Sequence, residues 1–218
     1  MLKSLIEQGR ESGPVLVLLH GRGSDERDLL PIGRMLHPDA TTVSVRAPFD
    51  AAPWGYGPGF AWYRFLGGTV PESESFAAGQ EALARFLAAL PGKLGRAGFP
   101  LILGGFSQGG TSALAYLMRQ PGSVDGVMVF SGFLADHASV AVTRERVGKT
   151  PIFWGHGTAD FAVPYAAAEA GWTTLRNAGA QLDSRSYAGM SHTISEQELA
   201  DASSWVAALL DGTATAPR

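Results

Sequence analysis

Apolar residues along this chain gather in short runs of strand length, at 15–19, 42–45, 101–103, 127–130 and 152–154, with a more polar run at 184–187. Near-continuous apolar strands are what a parallel sheet buried on both faces requires. Between the runs the period lengthens to that of a helix. Over 75–90 the side chains of Phe76, Leu83, Phe86, Leu87 and Leu90 share one face, and over 196–210 those of Leu199, Trp205, Val206 and Leu209 do the same. Pro91-Gly92 closes the first of these helices and Asp211-Gly212 the second, and 111–119 reads as a third. The alternation of strand and helix predicts one α/β domain over 1–218, with a mostly parallel central sheet, helices on both faces and a frayed tail at 213–218.

One segment resists this rhythm. Residues 47–71 hold Pro48, Pro53, Pro58 and Pro71, five glycines, and the aromatics Phe49, Trp54, Tyr56, Phe60, Trp62, Tyr63 and Phe65. So long a loop is uncommon in a compact domain unless it is functional or disordered, and its aromatic density argues against disorder. It reads as a folded wall over a site.

The site is announced by Gly105-Phe106-Ser107-Gln108-Gly109, which joins the run 101–103 to the helix at 111–119. A serine at a sharp strand-to-helix turn, flanked by glycines that let the backbones close, is a nucleophile elbow. Ser107 is the candidate nucleophile. A serine hydroxyl needs a hydrogen-bonded base and an orienting acid, which in sheet hydrolases follow in the order Ser, Asp or Glu, His on strand-end loops. His192 is the one histidine after Asp160, in a loop between 187 and the last helix, and is the candidate base. Asp160, after the buried run 152–154 and before Val163-Pro164, is the candidate acid, with a capping or turn role as the plainer alternative. Asp136 is the better spare. Asp183 precedes the run 184–187 and is expected to face the opposite end of the sheet. His20 reads as architectural, His156 as too near Asp160 in sequence to partner it, and His37 and His137 as lying in polar surroundings.

A tetrahedral intermediate needs two backbone amides aimed at its oxyanion. One is expected from Gln108, directly after the nucleophile, and the other from Arg22 in the loop after 15–19, with Gly23 as the alternative. The Arg22 side chain reads either as solvated or as a partner for an anionic group on the substrate.

Composition narrows the chemistry further. With a formal charge of -3 and no basic run, no nucleic-acid partner is expected. Without cysteine there is no disulfide and no thiolate site, and with no H-E-x-x-H pair and no P-loop lysine neither metal nor phosphate chemistry is indicated. Met1 to Gly13 lacks the apolar core of a signal peptide and no run approaches the roughly 20 residues of a membrane span, so a cytoplasmic protein without stable membrane insertion is expected.

The chain resembles the phospholipase/carboxylesterase family of α/β-hydrolases, which includes the acyl-protein thioesterases. The resemblance rests on Leu19-His20-Gly21, on Gly104 through Gly110 around Ser107, on Ser131-Gly132-Phe133-Leu134, on His156-Gly157 with Asp160 and Val163-Pro164, and on Gly189 with His192. It implies the α/β-hydrolase fold, a Ser107-Asp160-His192 triad, oxyanion amides at Arg22 and Gln108, no cofactor, and an acyl groove to which Trp62 and Phe133 correspond. Arg22 stands where the thioesterase members carry leucine. The expected activity is that of a serine carboxylesterase on short- to medium-chain esters, a small-molecule ester being the partner and a homodimer being allowed. A thioesterase, lysophospholipase or acyltransferase would use the same site, and a non-catalytic binding protein is the reading from another class.

Overall fold

The computed structural model describes residues 1–212, so the predicted tail at 213–218 lies outside the described residues. Seven strands form the central sheet: β1 (Ser4–Glu7), β2 (Val15–Leu19), β3 (Thr41–Val45), β8 (Leu101–Phe106), β9 (Gly126–Phe130), β10 (Ile152–Gly157) and β11 (Leu182–Tyr187). Their order is β1-β3-β2-β8-β9-β10-β11. All pairs are parallel except β1 with β3. This is the predicted α/β-hydrolase architecture. Within the loop predicted to be a wall, four short strands pair as two ribbons, β4 (Phe49–Asp50) with β5 (Phe60–Ala61) and β6 (Phe65–Gly67) with β7 (Val70–Pro71).

Alternating side chains of the sheet feed two cores. Val15, Val17 and Leu19 of β2 pack with Phe76, Leu83 and Phe86 of α2 (Ser73–Ala88), with α4 (Gln108–Arg119) and with Trp172 and Leu175 of α6 (Tyr165–Asn177). Leu16 and Leu18 face the other way, into a core with Leu36 of α1 (Gly33–Leu36) and Leu199, Trp205 and Val206 of α7 (Glu196–Leu210). Helices therefore cover both faces. The short helix α5 (Arg144–Val147) adds Val147 to the first core.

Two boundaries differ from the sequence reading. Pro91-Gly92 does not close a helix; α2 ends at Ala88 and Pro91 opens the short helix α3 (Leu90–Leu94), where a proline lacking an amide hydrogen is tolerated in the first turn. Asp183 lies inside β11, not before it, and is held by Arg185 at 2.8 Å, so it stays away from the candidate base.

The chain places β3 on one side of β2 and β8 on the other, so loops leaving β2 and β8 diverge at their carboxyl ends. Such a switch point opens a crevice at the sheet edge. The loop after β2 carries Arg22 and the turn after β8 carries Ser107.

Candidate active site

The turn at Ser107 is built by what its neighbours lack. A Cβ on Gly109 would lie 2.0 Å from the Leu19 carbonyl oxygen, and one on Gly105 would lie 2.4 Å from the Gly109 carbonyl carbon. Only glycine lets α4 start so close to β2 and β8. Ser107 itself has φ 53° and ψ -117°, a backbone conformation that non-glycine residues seldom adopt and that concentrates at functional sites. Its amide is held by the Phe130 carbonyl of β9 at 2.8 Å.

From Ser107 a hydrogen-bonded chain runs across the ends of β8, β10 and β11. Ser107 Oγ lies 2.9 Å from His192 Nε2, and His192 Nδ1 lies 2.7 Å from Asp160 Oδ2. The other carboxylate oxygen, Oδ1, accepts from the amides of Ala162 and Val163 at 2.9 and 2.8 Å, which fixes the carboxylate plane. The acid and base loops are also sewn to one another: Ala159 donates to Met190 O, and Gly189 donates to Thr158 Oγ1. The Phe106 ring packs on the His192 ring at 4.7 Å. Ser107 and Asp160 are buried, while His192 keeps partial access to solvent.

His156 lies close to Asp160 without partnering it. Nearness in sequence does not keep it from Asp160, because the turn after β10 folds back and leaves its Nε2 3.5 Å from Asp160 Oδ2. That nitrogen nevertheless bonds to the Val163 carbonyl at 2.9 Å, and burial pushes the imidazole pKa below its ordinary value. It is a neutral brace under the acid loop. His20 braces the other side: wholly buried and with its pKa lowered by burial, it accepts from the Ala47 amide through Nε2 at 3.0 Å.

The loop after β2 passes against the elbow, with a Cβ on Gly21 lying 3.7 Å from Ser107 Cβ. The Gly23 amide is already engaged by the Phe60 carbonyl at 2.8 Å. The amides of Arg22 and Gln108 have no such partner among the described residues. Glu26 anchors this loop from beneath, bonded through both oxygens to Arg46, whose guanidinium holds the carboxyl pKa down at about 2.

A cleft of about 170 Å³ opens over Ser107 and His192, walled by Tyr63, Phe65, Phe106, Phe133 and Val163, with Arg22 at its side. Phe133 is therefore on the cleft wall, and its amide is pinned to Thr111 Oγ1 at 3.0 Å. Trp62 is not. It is buried, its indole N–H donates to the His20 carbonyl at 3.0 Å, and a buried indole must find such an acceptor. The neighbouring aromatics Tyr63 and Phe65 line the cleft in its place, a choice that the irregular backbone of 47–71 hides from any periodicity argument. The Gln108 side chain was likewise unforeseen: it accepts from Trp62 N at 2.7 Å and donates to Tyr63 O at 2.8 Å, tying the wall to the elbow.

The family model described as Phospholipase/Carboxylesterase matches residues 2–210. The chain belongs to the phospholipase/carboxylesterase family. Within that family it is similar to a probable carboxylesterase of rice (Oryza sativa subsp. japonica), 42% identical over 106 residues, 47% of this chain and 39% of the rice protein. The chain thus spans less than half the length of the first curated relatives it matches. A longer match, 26% identical over 216 residues, covers 88% of this chain and 90% of acyl-protein thioesterase 1 of Cryptococcus neoformans. Among solved structures, esterase PE8 superposes with a TM-score of 0.81 at 27% identity, covering 95% of this chain and 99% of that one. No helix among the described residues of this family member is long and apolar enough to cross a membrane.

Proposed function

We propose that this member of the phospholipase/carboxylesterase family is a serine carboxylesterase for short- to medium-chain esters. The observation that carries the reading is the unbroken chain from Ser107 Oγ through His192 to Asp160 at 2.9 and 2.7 Å. Ser107 attacks the ester carbonyl as His192 Nε2 takes the hydroxyl proton, and Asp160 steadies the imidazolium so formed. The Arg22 and Gln108 amides receive the oxyanion. The free state of those two amides favours Arg22 over Gly23 as the second donor. His192 then returns its proton to the leaving alkoxide, the alcohol departs, and a water deprotonated by His192 releases the acid from the acyl-serine. The small apolar cleft supports a short acyl group, being well under the roughly 300 Å³ at which drug-sized ligands are enclosed.

Thioester hydrolysis is a second reading, supported by the near full-length likeness to a protein named acyl-protein thioesterase 1. It uses the same residues and differs only in the leaving group. A single α/β-hydrolase domain, a cytoplasmic setting and an optional homodimer complete the proposal.

The test is hydrolysis of p-nitrophenyl butyrate by the unaltered protein and by Ser107→Ala. Loss of a triad nucleophile is expected to lower kcat/KM by on the order of 10⁴-fold or more, with an unchanged melting temperature. A variant as active as the parent overturns the assignment.

A further inference from the structure

Arg22 lines the cleft that holds Ser107 and His192, and its guanidinium is held by aromatic stacking that includes the cleft-wall ring of Phe65, not by an acid. Its Cζ sits 4.6 Å from the centre of the Tyr56 ring and 5.8 Å from that of Phe65. The platform is itself fixed, because the Tyr56 hydroxyl accepts from Phe65 N at 2.8 Å and bonds to Phe65 O at 3.2 Å. Stacked guanidinium groups keep their planar fork free for a ligand.

Neighbouring acids do not quench this charge. Asp25 is tied to Arg27 at 2.9 Å and Glu26 to Arg46 and Lys3. Arg22 has no ion pair among the described residues. An otherwise apolar cleft of Phe65, Phe106, Phe133 and Val163 thus carries one pre-set, uncompensated cation beside the nucleophile. A fork of this kind matches a carboxylate through two parallel charge-assisted hydrogen bonds.

We propose that Arg22 makes this site selective for esters that carry a carboxylate. The inference rests on the esterase reading and names its substrate class. The carboxylate could belong to the acyl half, as in a half-ester of a dicarboxylic acid, or to the alcohol half, and the chemistry recognised is the same. A net charge of -3 on the whole chain works against anionic substrates, so a preference for them has a local origin.

The experiment compares kcat/KM for mono-p-nitrophenyl adipate with p-nitrophenyl hexanoate, and for the butyrate ester of meta-hydroxybenzoate with phenyl butyrate. Each ratio is measured in the unaltered protein and in Arg22→Gln and Arg22→Lys. At least one ratio is expected to fall about tenfold in Arg22→Gln, the worth of a charge-assisted pair at a partly exposed site, and to fall less in Arg22→Lys. The ratio that moves identifies the half of the ester that bears the charge. Neutral esters turned over with both ratios unmoved overturn the Arg22 assignment alone. Absence of hydrolysis of any ester by the unaltered protein overturns the esterase reading, and this inference with it.

Discussion

Glu198 carries its carboxyl into the layer between α7 and β10, and neither oxygen has a close hydrogen-bond partner among the described residues. The group sits directly on Gly155, where a Cβ would lie 2.0 Å from Oε1. Burial pushes its pKa up from 4.5 to about 8, with the nearby Ser195 backbone opposing the rise and Asp201 adding to it. The folded chain therefore holds a proton that the unfolded chain has lost between those two values. Stability falls as pH climbs through that window, and the cost is complete above about pH 8. Glu198→Gln keeps the shape without the charge. At about pH 9 it is expected to be more stable than the parent by a few kcal/mol, which is several degrees in Tm for a chain of this size, and the gap should close towards pH 4. Thermal melts at both ends of the window check this, and a gap that does not change with pH would show that the acid is not held protonated.

At the scale of elements, the elbow depends on β8 and α4 approaching without side chains between them. In Gly109→Ala the new methyl meets the Leu19 and His20 carbonyl oxygens at 2.0 and 2.6 Å, and backbone on that side cannot retreat. A loss of several kcal/mol is expected, seen as a lowered Tm together with lost ester hydrolysis. Gly92→Ala is the contrast: nothing among the described residues lies within 4 Å of its added methyl, the residue is helical, and a gain of about 0.5–1 kcal/mol is expected. The same glycines explain what could be read from the sequence. Strand β2 was legible to the residue because all five side chains are wholly buried. Strands β8 and β10 were read three residues short, because Gly104-Gly105-Phe106 and Gly155-His156-Gly157 lack strand propensity yet go on pairing, their missing side chains making room for Met128, for α4, for Glu198 and for Met190. Strand β1 was missed, being four half-buried residues at an antiparallel edge. Of the candidate site, the order of Ser107, Asp160 and His192 was legible since order and strand ends are properties of the chain. The inward turn of Trp62 and the return of His156 towards Asp160 were not, since side-chain direction in an irregular segment follows from contacts made across the molecule.

For the whole molecule, the proposed esterase takes its reacting groups from the ends of the sheet strands, and the 47–71 wall sets the limit on what would reach them. Tyr63 and Phe65 come from that wall, Phe133 from the loop after β9, and the Gln108 bridge locks wall to elbow, so the cleft is bounded by parts that cannot move independently. Within such a boundary each added methylene of an acyl chain is worth about 0.8 kcal/mol, about fourfold in kcat/KM, until the space is filled, after which crowding costs more than burial returns. Rates on p-nitrophenyl esters are thus expected to climb from acetate through butyrate and to fall by octanoate. Phe133→Ala removes a ring that packs on Phe65 at 6.0 Å and lines the cleft without touching the hydrogen-bonded chain to Ser107. In that variant the optimum should move to longer acyl groups while the rate on acetate drops, because the short chain then leaves the enlarged space unfilled. A profile that keeps its butyrate optimum in Phe133→Ala, or undiminished rates on octanoate in the parent, would place the acyl chain elsewhere than between Phe65 and Phe133.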